Sequence, residues 1–468
     1  MEKFFRLKEN KTTVRTEIVA GITTFMAMAY ILMVNAGMFG DLDGQAGPMY
    51  NAVYIATAIS AVFGTLLIGL LARLPLAQAS GMGLNAFFVY TICFGLGFTY
   101  ENALVMVLVD GLVFILLTVT GLRKLIFEAI PKAVKGAIAA GIGLFIAFIG
   151  MQNVGLVVDD GATLVNLHSF NIVFGNVTWG EIMPVIVTIL AVVVIGALSK
   201  KQVKGAVFWG IIGGAVLYYL LGFTVAGFYD GFAASLSFNP IAPFKDFFNI
   251  GFGAVFTKGF DFSAWIAANS VGSFILTFIC SMLAFCMVDM FDTLGTLFGA
   301  CSVGGLLDKD GNVPRMEKAM LADAVATCFG AVCGTSTVTT FVESSAGVAE
   351  GGRTGLTSVA CAAMFLITMF LAPIARLIPS CATAAALIYV GILMIGGVKD
   401  IEWGDPTTAV PAFLTMAIMP LTYNISYGIA FGLISYILIK LFSGKIKEIK
   451  AGTWVIGILF TVMFFVSH

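Results

Sequence analysis

Apolar runs long enough to cross a bilayer follow one another from Thr16 to Phe465 of this chain. A stretch of about twenty apolar residues covers the hydrocarbon core when helical. Lipid offers no partner to a free N–H or C=O, so every crossing segment has to satisfy its own backbone, and the helix does this. Of the 468 residues, 59% are hydrophobic and 11% charged, with a mean hydropathy of +1.01. Soluble domains carry roughly 25% charged residues, so the expected class is an all-α polytopic membrane protein embedded in a lipid bilayer. A net charge of −1 argues against a nucleic-acid partner. The eight cysteines all fall in apolar segments without metal-ligand spacing, and two histidines, His168 and His468, are too few for a metal site. Neither metal nor cofactor is expected.

The runs place spans at about 15–39, 51–72, 81–98, 102–121, 134–151, 181–198, 206–223, 267–300, 317–333, 341–350, 355–375, 382–398, 407–421 and 423–442. A further apolar run covers 451–466, and the sequence leaves open whether it crosses. Lys3, Arg6, Lys8, Lys11 and Arg15 precede the first span. Arg73, then Arg123, Lys124, Lys132 and Lys135, then Lys200, Lys201 and Lys204 follow even-numbered spans, whereas Asp41, Asp43, Asp159 and Asp160 sit in odd-numbered loops. By the positive-inside rule the N terminus is cytoplasmic, in a multi-pass cell-membrane protein.

An internal repeat runs through the chain. PVIVT at Pro184 is followed by KGAVFWG, and PAFLT at Pro411 by YGIAFG. Pro131 with GLFI at 143–146 matches Pro379 with GILMI at 391–395, and the glycine-rich start near 81 matches the Ser/Thr-rich start at 335–345. Seven spans per half, an odd number, invert the second half relative to the first. Inverted repeats with a matched pair of interrupted helices characterise secondary transporters, and the interrupted pair marks the substrate site.

Asp289 and Asp292 stand three apart in MVDMFDTLGTLFG, on one helix face with Thr293 and Thr296. A mid-membrane Asp costs roughly 2.5–3.5 kcal/mol on insertion scales, and positions 267–300 hold no Lys or Arg to pair with it. Such residues are functional candidates. Glu343 follows the Ser/Thr-rich stretch at a helix start, and Asn85 occupies the matching start in the other half. Asp110, Glu128 and Asp323 also lie in or near apolar segments; for Asp323 a structural pairing with nearby Lys318 is expected. Phe87 and Phe88 beside Asn85, and Phe341 beside Glu343, are candidates for stacking on a flat ring.

Five stretches carry a family resemblance: TEIVAGITTFMAMAYILMVN (16–35), GMGLNAFF (81–88), VDMFDTLGTLFG (288–299), 322–359 with its TFVESS, and PAFLTMAIMPLTYNISYGIAFG (411–432). They resemble the AzgA-like purine permeases, a branch of the nucleobase–cation symporter-2 family, along nearly the whole chain. The resemblance implies about 14 transmembrane segments in two inverted seven-helix repeats, with half-helices 3 and 10 preceded by short strands. It implies a core domain of 1–132 and 266–378 and a gate domain of 133–265 and 379–468. It places the substrate site on Gly83, Asn85, Asp289, Asp292 and Glu343. An apolar site favours the neutral form of a carboxyl group, which makes Glu343 and Asp289 the candidates for the coupling proton. Uracil and xanthine permeases of the wider family carry Glu on the eighth helix where this chain has Asp; a shorter acid suits a bulkier purine.

The expected activity is therefore not enzymatic. It is secondary active import of a purine base, guanine or hypoxanthine first, by proton symport with alternating access. An adenine-preferring permease is the alternative, and an anion carrier of the same fold a more distant one. A homodimer joined through the gate is the assembly the resemblance implies.

Overall fold

The computed structural model of the protein describes residues 2–44, 47–121, 130–175, 177–230, 239–303, 305–308 and 313–466. Arg123, Lys124 and Glu128 lie outside the described residues. The chain forms a helical membrane protein. Its principal helices are α1 (Val14–Asp43), α2 (Met49–Ala72), α3 (Met82–Gly95), α4 (Tyr100–Thr120), α5 (Lys132–Asn153), α6 (Trp179–Lys200) and α7 (Ala206–Gly222) in the first half. The second half supplies α8 (Val271–Val303), α9 (Met316–Cys333), α10 (Ser344–Ala349), α11 (Gly355–Ala375), α12 (Ser380–Met394), α13 (Pro406–Thr422) and α14 (Ile425–Phe442). The run at 451–466 also forms a helix, α15 (Ala451–Val466), which packs on α8 and α14.

Local chemistry sets these boundaries. Thr99 opens α4 by accepting from the amide of Asn102, and a Thr178–Glu181 capping box opens α6. Gly121, in the left-handed conformation, closes α4. Pro131 and Pro379, which match in the repeat, stand at the N-caps of α5 and α12.

The repeat is visible in contacts as well as in order. Gly143 on α5 and Gly391 on α12 hold matching places in GLFI and GILMI, and they touch each other. A Cβ added at either would collide with the other's carbonyl oxygen. Small residues of this kind let membrane helices approach to backbone contact. Helices α1, α2, α4, α9, α10 and α11 pack on one another, while α5, α6, α7, α12, α13 and α14 form a second packed set.

Two strands interrupt the helical pattern. β1 (Gln78–Ser80) leads into α3, and β4 (Val338–Thr340) leads towards α10. They pair antiparallel, with Ala79 opposite Thr339, so the following helices leave in opposite directions. A hairpin of β2 (Val157–Asp160) and β3 (Leu164–Leu167) fills the connection between α5 and α6. The β1–β4 pair is fully buried, so its outer edges need hydrogen bonds from side chains. Thr65 on α2 bonds both the amide and the carbonyl of Gln78, at 2.9 and 3.0 Å. Thr327 on α9 does the same for Val338, at 3.1 and 3.2 Å. Helices α2 and α9 are the second of each half, so one device serves both strands.

Thr65→Val and Thr327→Val keep the side-chain shape and remove those bonds. Each should destabilise the protein by about 1–3 kcal/mol and to a similar degree, read as a fall in melting temperature in detergent.

Candidate functional site

The polar groups of the interior gather where the β1–β4 pair meets α1, α8 and the start of α10. α1 is irregular at Ala29, and Tyr30 immediately follows. The Tyr30 hydroxyl donates to Glu343 Oε1 at 2.6 Å. Glu343 is the N-cap residue of α10 and is half-buried. Asp292 on α8, also half-buried, accepts from the Thr339 hydroxyl of β4 at 3.2 Å and lies within electrostatic reach of Glu343. Tyr30, Asp292, Thr339 and Glu343 thus form one cluster drawn from α1, α8, β4 and the α10 start.

Asp289, one turn earlier on α8, points elsewhere. It is fully buried and within electrostatic reach of Asp323 on α9 and Asp110 on α4, with Asp292 a weaker neighbour. Neither oxygen of Asp289 nor either oxygen of Asp110 has a hydrogen-bond partner among the described residues. The sequence pairs Asp289 and Asp292 on one face, and the structure gives them different partners. Asp292 accepts from Thr339 and lies near Glu343, while Asp289 has no hydrogen-bond partner among the described residues and lies near Asp110 and Asp323, the latter also within reach of Asp292.

Asp323 does not pair with Lys318. It accepts from Thr293 at 2.8 Å, from Gln78 at 3.0 Å and from Thr340 at 3.3 Å, and so ties α8, α9 and both strands together. Its role is structural, as expected, but hydroxyl and amide donors replace the lysine.

Asn85 is buried on α3. Its Nδ2 donates to the Ser80 carbonyl at 3.3 Å, and its Oδ1 has no partner among the described residues. Gly83, two residues upstream, is half-buried and faces α5, where a Cβ would stand 2.5 Å from Ile142 Cγ2. Close approach of α3 to α5 requires glycine there. Phe87 and Phe88 are core residues: Phe87 packs on Phe285, and Phe88 on Phe39 and Tyr100.

The described residues contain no group of three or more His, Cys, Asp or Glu arranged to hold a metal ion.

Comparison with known proteins agrees with this architecture. The sequence model described as "Permease family" matches residues 15–431. The chain belongs to the nucleobase–cation symporter-2 permeases. This is a family of transporters and not of enzymes. The chain is 41% identical to the putative permease MJ0326 of Methanocaldococcus jannaschii, covering 99% of this chain and 98% of that one. It is 39% identical to the guanine/hypoxanthine permease PbuO of Bacillus subtilis, covering 99% and 100%. It is 35% identical to the adenine permease AdeP of Escherichia coli, covering 100% and 97%. Among solved structures, the transmembrane domain of the cyanobacterial bicarbonate transporter BicA superposes with a TM-score of 0.60 at 15% identity, over 89% of this chain and 97% of that one. SLC26A9 superposes with a TM-score of 0.59 at 12% identity, over 94% and 68%. These likenesses establish the inverted-repeat fold of two seven-helix halves.

For this permease, sequence reasoning missed Tyr30. The signal was a lone phenolic hydroxyl inside the apolar run MAMAYILMVN, since a buried tyrosine hydroxyl seeks a partner. It also missed Glu17 on α1, which is fully buried yet satisfied. Glu17 accepts from the amides of Arg353, Thr354 and Thr357 at 2.9, 3.2 and 3.2 Å, and from the hydroxyls of Thr354 and Thr357 at 2.9 and 2.6 Å. It fastens the start of α11 to α1.

The contrast between buried acids is testable. Glu17→Ala strands five donors and should cost about 3 kcal/mol or more, lowering the yield of folded protein. Asp110→Asn breaks no hydrogen bond of the described structure and should leave the melting temperature near wild type. Thermal unfolding of both purified variants checks this.

Proposed function

We propose that this permease imports a purine base, guanine or hypoxanthine, across the cell membrane in symport with a proton. The observation that carries the reading is the Asp292–Glu343 cluster, half-buried beside the strand pair from which the two interrupted helices start. Matched interrupted helices mark the binding site in transporters of this architecture. A carboxylate accepts two donors side by side, and a guanine edge presents its ring N–H and amino group in that way. Glu343, oriented by Tyr30, and Asp292, oriented by Thr339, are the acceptors nearest the junction. Asn85 supplies the free Oδ1 for another edge, and Gly83 leaves room where α3 passes α5.

Asp289 and Asp110 support the proton step. A buried carboxylate with two unpartnered oxygens is costly, and a proton removes that charge. Asp289 shares α8 with Asp292, so one helix carries both a proton acceptor and a substrate acceptor. Glu343 remains the other candidate for the proton.

For alternating access we infer that residues 1–132 and 266–378 move as a core against a gate of 133–265 and 379–468. The two packed helix sets favour this division. Arg6, Arg73, Arg315, Lys318 and Arg353 gather at one end of the molecule, which supports a cytoplasmic N terminus. Lys204, in the α6–α7 turn, forms an ion pair with Glu350 after α10 and joins the two sets. Assembly as a homodimer through the gate belongs to the same proposal.

The substrate order rests on the slightly greater identity to the guanine/hypoxanthine permease, and the identity to AdeP keeps adenine as the second reading. The BicA and SLC26A9 likeness concerns fold alone, and an anion would meet acids at this site.

Asp292→Asn and Glu343→Gln should each cut purine uptake by roughly tenfold or more, the loss of about one charged hydrogen bond, and Asp289→Asn should lower it by removing a proton acceptor, all with unchanged protein in the membrane. Wild-type uptake by the Asp292 and Glu343 variants would overturn the site, and wild-type uptake by the Asp289 variant its part in the proton step. Labelled hypoxanthine uptake should collapse on adding a protonophore, and unaltered initial rates would exclude proton coupling. Excess unlabelled guanine should compete better than adenine; the reverse order would make adenine the substrate.

A further inference from the structure

A cavity of about 580 Å³ opens at the end of the molecule that bears the N-terminal segment. Its lining combines Arg6 from that segment, Arg73 after α2, Arg315 and Lys318 at the start of α9, and Arg353 between α10 and α11. No carboxylate among the described residues lines it. Among the described residues, Arg73, Arg315, Lys318 and Arg353 form no ion pair; Arg6 has one, 3.5 Å from the exposed Glu9. The guanidinium of Arg353 donates to the carbonyls of Val348 and Gly352, which fixes its position at the wall.

The backbone beneath these cations is unusual. Arg6, Arg73 and Arg315 have φ of 54°, 54° and 55°, in the left-handed region that glycine occupies without penalty. Non-glycine residues there are uncommon, and such strain gathers at ligand clamps. Three arginines in that conformation stand around one cavity. They also repel one another: burial and the charges of Arg73 and Arg6 lower the pKa of Arg315 from its ordinary value. An anion in the cavity would relieve that repulsion.

The rim is apolar. Leu70 and Leu71, at the end of α2, are 44% and 39% exposed, and Phe5 forms part of the wall. A membrane-spanning helix ending in exposed leucines beside arginines matches a lipid whose acyl chain lies on the leucines and whose phosphate meets the cations. Guanidinium groups suit phosphate because of their planar, forked donors, and juxtamembrane cations attract anionic lipid.

We infer that this cavity binds a phosphate-bearing anion, and the apolar rim assigns it to the headgroup of an anionic phospholipid. The site is separate from the Asp292–Glu343 cluster and does not depend on the transport reading.

Delipidated full-length protein is to be titrated with dioleoyl-phosphatidylglycerol, dioleoyl-phosphatidylcholine and pyrophosphate, with bound ligand counted by native mass spectrometry. The wild type should prefer phosphatidylglycerol to phosphatidylcholine by roughly tenfold or more, given several cations near the phosphate. That preference should shrink as salt rises from about 50 to about 500 mM. The triple variant Arg73→Gln, Arg315→Gln, Lys318→Gln should lose it. Pyrophosphate binding that the same variant abolishes would keep the phosphate site and assign it to a soluble ligand. Should the wild type at low salt show neither a phosphatidylglycerol preference nor pyrophosphate binding, the inference fails, whatever the variant does. Equal binding by wild type and a folded variant overturns it too.

Discussion

Extended backbone inside a membrane protein survives only when each of its amides and carbonyls has a partner. The β1–β4 pair meets that condition through its own ladder and through Thr65 and Thr327, each bonding the outer edge of one strand. Much else depends on it. Because the strands are stable there, α3 and α10 begin inside the protein and run in opposite directions. Asn85 and Glu343 then fall at helix starts instead of in the middle of continuous spans. Gln78 adds a third function: it belongs to the ladder and donates to Asp323, so strand, α8 and α9 share one polar knot.

The buried acids differ in kind. Glu17 and Asp323 are saturated with donors and hold segments together. Asp292 and Glu343 each have one hydroxyl donor, from Thr339 and Tyr30, which orients the group while leaving acceptor capacity unused. Asp289 and Asp110 have no donor at all among the described residues. Those three states arise from one functional group, the carboxylate, by the donors placed around it.

Most of the fold was legible in the sequence because bilayer thickness imposes its length on every span, and because Pro131, Pro184, Pro379 and Pro411 mark equivalent places in both halves. The site was legible in part. Asp289, Asp292 and Glu343 stood out since acids are costly among apolar residues. Tyr30, Thr65 and Thr327 did not, because a tyrosine or threonine is common in such helices and its partner lies tens to hundreds of residues away. The separation of Asp289 from Asp292 was also invisible: spacing sets the face of a helix, but only packing decides that α4 and α9 flank one acid and α10 the other. Asp323 shows the same limit. Lys318 was near in sequence, yet Gln78 and Thr293 reached the carboxylate first.

Gly143 and Gly391 bring α5 and α12 together backbone to backbone at equivalent points of the two halves. Prising those helices apart would open a slot too narrow for an acyl chain and strip away dispersion contacts along its walls. The pair therefore behaves as a fixed keel.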